Sequence, residues 1–186
     1  MNFQENLVES IAKLQDEYYD KNKKNTFFKK NQKNECANLV LLNIDKTTLF
    51  RKTLFIIPNK NSVYFDYMMF KTYMTADIYD DFLDYSYELM YNVINTTEYY
   101  EMHFNIQSLS ISGFERYREI LDRIFKRYPP VSENYIKMTK MYVYYTPSII
   151  ENIMQFLTPL VQHIRDKIVI YSKQESHSYL DELFKV

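Results

Sequence analysis

Apolar positions along the chain fall into stretches of two kinds, some with helical spacing and some as short continuous runs. Phe3, Leu7, Ile11, Leu14 and Tyr18 recur every three or four residues, which predicts an amphipathic helix from residue 3 to about 20. A polar stretch follows, in which Lys21, Lys23, Lys24, Lys29, Lys30 and Lys33 surround Phe27 and Phe28, and it reads as a basic linker. The runs Leu39–Leu42 and Leu54–Ile57, the second stopped by Pro58, have the length of strands. Residues 75–95 return to helical spacing. Thr75 stands at the cap, Asp77, Asp80 and Asp81 occupy the first turns, and Ile78, Phe82, Tyr85, Leu89 and Val93 form the inward stripe.

The second half alternates in the same way. A strand is expected at 99–106, then a helix opened by the capping box Ser112-Gly113-Phe114-Glu115 and ended at Tyr128-Pro129-Pro130. Its inward residues are Phe114, Tyr117, Leu121, Ile124 and Phe125. Residues 135–145, rich in β-branched and aromatic side chains, predict another strand. Thr146-Pro147 opens a helix running to about Leu157, and Pro159 closes it. A short strand at 167–171 and a helix at 178–184 complete the chain. This alternation predicts an α/β fold with a mostly parallel twisted sheet. Residues 1–34 form an N-terminal helix and linker, and residues 35–186 the α/β domain.

Composition narrows the chemistry. Of 186 residues only one is glycine, so the glycine-rich phosphate loops and the strained nucleophile elbow are excluded. A single cysteine, Cys36, excludes disulfides within the chain and multi-cysteine zinc sites. His103, His163 and His177 lie in separate elements without metal-ligand spacing. Asp77, Asp80, Asp81, Asp84 and Glu88 share the polar face of one helix and read as a solvated flank. A formal charge of −1 does not fit a nucleic-acid-binding surface. No secretion signal or membrane span is evident, so a cytoplasmic protein that is no enzyme and needs no cofactor is expected. In the helix from Ser148, the residues Ser148, Glu151, Asn152 and Gln155 make a narrow polar stripe. Ile149, Ile150, Ile153, Met154, Phe156 and Leu157 cover the remaining arc, which suits packing on a sheet or closing over an apolar ligand.

Several segments, taken in order, resemble the CRAL-TRIO lipid-binding domains of phosphatidylinositol/phosphatidylcholine and tocopherol transfer proteins. They are His103-Phe-Asn-Ile-Gln-Ser-Leu-Ser110, Tyr128-Pro129, Tyr145-Thr-Pro147, Phe156-Leu-Thr-Pro-Leu160, Asp166-Lys-Ile168 and Leu180-x-x-Leu183. Asn105 and Ser108 replace that family's usual Asp and Gly, Pro130 and Ile164 replace its headgroup-contacting Glu and Thr, and one helix replaces its three-helix leader. The resemblance implies a sheet flooring an apolar pocket, with the helix from Ser148 to Leu157 as a gate. It implies a bound phospholipid, phosphatidylinositol or a relative, exchanged at membrane surfaces. Tyr142, Tyr144, Ile149, Ile150, Ile153, Met154, Phe156 and Leu157 would line the lipid, with Lys167 and Arg165 at its phosphate. Lys21, Lys23, Lys24, Phe27, Phe28, Lys29 and Lys30 would meet an anionic membrane, where each lysine contributes about 1 kcal/mol. The alternative is a divergent interaction module that scaffolds or binds a small GTPase.

Overall fold

The computed structural model describes residues 3–22, 29–127, 133–147 and 162–185. Three helices precede the sheet: α1 (Phe3–Lys21), α2 (Lys29–Asn43) and α3 (Lys46–Thr53). The strands are β1 (Leu54–Ile56), β2 (Ser62–Asp66), β3 (Tyr100–Asn105), β4 (Met138–Tyr144) and β5 (Ile168–Ile170). They lie side by side in chain order. β1 and β2 form an antiparallel hairpin, and β2 through β5 are parallel. Between them run α4 (Tyr67–Tyr73), α5 (Tyr79–Thr96), α6 (Ile111–Arg116), α7 (Arg118–Arg127) and α8 (Glu133–Lys137), and a C-terminal helix, Lys173–Leu183, follows β5.

Parallel strands laid down in chain order, with right-handed crossovers, put their connecting helices on one face of the sheet. Burial follows this rule. Val63, Tyr100, Met102, Met138, Met141 and Ile168 point into the large core shared with α1, α2, α4 and α5. The alternate residues Tyr64, Tyr142 and Tyr144 point the other way, into a small cluster closed by Leu180 and Leu183 of the C-terminal helix. Among the described residues that second face is covered only in part.

The mostly parallel α/β sheet agrees with the sequence pattern, but several local expectations are corrected. Residues 39–42 are not a strand. They lie in α2, where Val40 is fully buried while Leu42 is 83% exposed, a helical rather than an alternating pattern. A four-residue apolar run does not distinguish the two states. The same helix starts at Lys29, so the basic linker is shorter than expected, and the domain boundary at 34 falls inside α2. Val40 shares one core with Leu7 and Ile11 of α1. Among the described residues the leader thus has three helices, not one.

Capping differs too. Ser110, not Ser112, caps α6, its hydroxyl accepting from the Gly113 amide. Thr75 makes no side-chain cap bond, and its hydroxyl is buried without a partner among the described residues. A short 3-10 turn, Ala76–Ile78, separates it from α5, whose buried stripe is Tyr79, Phe82, Leu83, Met90, Val93 and Ile94. Finally, residues 135–137 belong to α8, and the C-terminal helix starts five residues earlier than the pattern indicates. There Ser172 and Glu175 form a reciprocal capping box.

The acidic flank of α5 is paired with basic side chains. Asp81 pairs with Lys46 at 2.7 Å, Asp80 with Arg123 at 2.7 Å and Asp84 with Arg127 at 2.8 Å. Among the described residues no group of three metal-ligating side chains forms, and no helix is long and apolar enough to cross a membrane.

Candidate functional site

The uncovered part of the second sheet face is an open cleft of about 720 Å³. Its floor comes from alternate positions of neighbouring strands, Glu101 and His103 on β3 and Tyr142 and Tyr144 on β4. Tyr171 follows β5, and Tyr179, Glu182 and Leu183 of the C-terminal helix form one wall. The β1–β2 turn, Asn59 to Asn61, forms the opposite rim. Asn59 permits that turn by taking φ 61°, a left-handed conformation that asparagine tolerates better than most residues. Lys60 ties the two walls together, its ammonium donating to the Leu183 carbonyl.

Register brings the rings together. His103 lies opposite Tyr142 across β3 and β4, and their rings stack at 4.9 Å with planes 23° apart. Tyr144 stacks on Tyr171 at 5.4 Å, and Tyr171 on Tyr179 at 4.2 Å. The result is a row of nearly parallel plates running across three strands onto a helix. Such pairs contribute about 0.5–1.5 kcal/mol each beyond burial.

His103 is the polar centre of the row. Its Nδ1 is 2.9 Å from the Tyr144 hydroxyl, while its buried Nε2 has no hydrogen-bond partner among the described residues. Burial, and then the charge of Lys60, push its pKa down to about 4, so the ring is neutral at physiological pH. The Glu101 carboxylate lies 3.7 Å from Nε2, beyond hydrogen-bond distance, and accepts from the Tyr142 hydroxyl at 3.3 Å. Burial chiefly raises the pKa of Tyr144 and Tyr142, so both stay protonated and can donate.

Compared with known protein families and with characterised proteins, the chain matches no family and no relative at a significant level. The site must therefore be read from its own geometry.

Of the residues expected to line a ligand, Tyr142 and Tyr144 do line the cleft. Ile149, Ile150, Ile153, Met154, Phe156 and Leu157 lie outside the described residues, as do Lys23, Lys24, Phe27 and Phe28. Lys167 and Arg165 are not at the cleft. Lys167 donates to the carbonyls of Tyr135 and Met138, both at 2.7 Å, and so closes the end of α8 at the start of β4. Arg165 is exposed. Lys21 ends α1, and Lys29 and Lys30 begin α2, in the helical leader rather than beside the cleft. Sequence patterns held no sign of His103, Glu101, Lys60 and Tyr179 as one group, because they converge from three separate elements. The available hint was the alternation of Glu101 and His103 with Tyr142 and Tyr144 on adjacent strands.

Proposed function

We propose that the protein is a lipid-binding protein that holds one amphipathic lipid on the second face of its sheet and exchanges it at membrane surfaces. The observation that carries this reading is the tyrosine-floored cleft, on the sheet face that the described helices cover only in part. Its volume lies within the roughly 300–1,000 Å³ usual for small-molecule pockets. Its floor is amphipathic, with ring carbon below and hydroxyls at the tips, as suits a ligand with an apolar body and a polar end. Tyr99, Tyr179 and Phe184 are exposed at or beside its mouth, where large apolar groups favour contact with a membrane or partner. Ser108 supports the resemblance that first pointed to lipid transfer. It takes φ 65°, a glycine-favouring conformation, at the position where that family carries glycine.

A lipid leaving a bilayer already has its tails buried, so transfer is nearly balanced and the polar contacts decide which lipid is held. The described cleft contributes those contacts through His103, Glu101 and the tyrosine hydroxyls, not through Lys167. Native mass spectrometry of the purified full chain tests the reading, together with transfer of labelled phospholipid between vesicles. A co-purifying lipid and measurable transfer support it, whereas a consistently empty protein without transfer overturns it. Charge reversal across Lys21 to Lys33 tests membrane docking separately, and weaker vesicle binding is the expected result.

One observation favours an interaction module instead. Tyr87 and Tyr91 on α5 are both exposed and stack at 6.4 Å beside Arg127. Loss of a binding partner on replacing both tyrosines, in a protein that carries no lipid, would select that reading.

A further inference from the structure

Among the described residues the cleft holds a buried polar group without a hydrogen-bond partner. His103 has a 4% exposed side chain, and its Nε2 is fully covered yet unbonded among the described residues. A neutral imidazole carries one proton. A phenol is the better donor and an imidazole nitrogen the better acceptor, so the Tyr144 hydroxyl donates to Nδ1, which leaves the proton on Nε2. The nearby Glu101 carboxylate favours the same tautomer, since a bare Nε2 lone pair 3.7 Å from it would be repelled. Glu101, itself 36% exposed, lines the cleft beside His103.

We propose that the cleft recognises an uncharged hydroxyl group, seated between the His103 Nε2–H and the Glu101 carboxylate. This rests on the reading of the cleft as a lipid site and specifies the polar end of that lipid. A hydroxyl is the smallest group that completes both residues, because its oxygen accepts from Nε2–H while its proton goes to the carboxylate. With the two atoms 3.7 Å apart, one oxygen about 2.8 Å from each bridges them, after a small swing of the exposed Glu101 side chain. Other polar ends fit less well. A phosphate would face the carboxylates of Glu101 and Glu182, and Lys60, the one lysine lining the cleft among the described residues, already donates to a carbonyl. A quaternary ammonium needs open ring faces. Here the rings of His103, Tyr142, Tyr144 and Tyr171 stand nearly parallel with centroids 4.9–6.1 Å apart, so each ring crowds the space beside its neighbour's face.

The test uses the full chain with nitrogen-labelled histidine, phosphatidylcholine vesicles carrying either cholesterol or its methyl ether, and soluble myo-inositol. The ether keeps the accepting oxygen but has no proton for Glu101. Cholesterol is expected to be extracted, to shift the His103 Nε2 resonance, and to bind about tenfold to a hundredfold more tightly than the ether. Glu101→Leu, at a part-exposed position, is expected to abolish that discrimination without unfolding the chain, while His103→Phe removes the resonance and the preference together. A shift with myo-inositol, with no lipid co-purifying and no phosphatidylinositol transferred between vesicles, keeps the hydroxyl site and overturns the lipid reading. Equal binding of alcohol and ether, or bound lipid with an unmoved His103, overturns the hydroxyl site and leaves lipid binding standing. No binding by any probe overturns it as well.

Discussion

His103 and Tyr144 sit on adjacent parallel strands with Nδ1 2.9 Å from the phenolic oxygen and their ring planes 6° from parallel. The contact locks the orientation of a neutral, buried imidazole, and it couples the fold to pH. The ordinary histidine value is 6.5 and the folded value about 4, so between them the unfolded chain binds more protons.

Stability is therefore expected to fall as pH drops from 6.5 toward 4, with His103 accounting for on the order of 3 kcal/mol of the loss. The contribution is complete above pH 6.5, where both states are neutral. Denaturant titrations across this range check it. In His103→Gln the same interval should show a clearly shallower slope, and an unchanged slope would exclude His103 as the origin.

Lys167 gives a prediction that separates structure from ligand chemistry. Its ammonium joins the Tyr135 and Met138 carbonyls, so Lys167→Met should destabilise the fold by about 1.5–3 kcal/mol, the usual range for a hydrogen bond to a charged group. Lipid binding below the unfolding transition should be unchanged. A variant of native stability that fails to bind phospholipid would instead put Lys167 at a headgroup.

The capping of α6 can be resolved by two substitutions. Ser110→Ala removes the acceptor for the Gly113 amide and should cost about 1 kcal/mol. Ser112→Ala should stay within about 0.5 kcal/mol, although Ser112 lies 3.1 Å from the Ser110 hydroxyl. Equal effects in thermal unfolding would return the cap to the Ser112–Glu115 box.

What the sequence made legible depended on the range of the interaction. Periodicity identified α1, α5, β3 and β4, because Ile11, Phe82 and Tyr144 are buried by local pattern alone. It missed β2, whose Val63 and Tyr64 face opposite cores and so show no single apolar face. It misread α2, where Leu39–Leu42 is too short a run to betray its period. The site divides in the same way. Tyr142 and Tyr144 were legible as one face of a strand, but the pairing of His103 with them depends on β3–β4 register. The Lys60–Leu183 link closes a loop of more than a hundred residues. No local spacing encodes either.

Gly113 supplies the sharpest packing prediction. It has no left-handed backbone, so its role is space: a Cβ there would run into the Tyr67 hydroxyl at the start of α4. That hydroxyl ends a ring which packs edge-on against Tyr117, 6.2 Å away, and beside Phe70 in the main core. Gly113→Ala should therefore destabilise by about 1–3 kcal/mol, as overpacking of a filled site does, despite the higher helix propensity of alanine. Tyr67→Phe deletes the clashing oxygen and leaves the ring in place. The double variant should recover most of the loss, giving a coupling energy of at least about 0.5 kcal/mol in a double-mutant cycle. Purely additive losses would mean that Gly113 is required by the backbone of α6 and not by its contact with Tyr67.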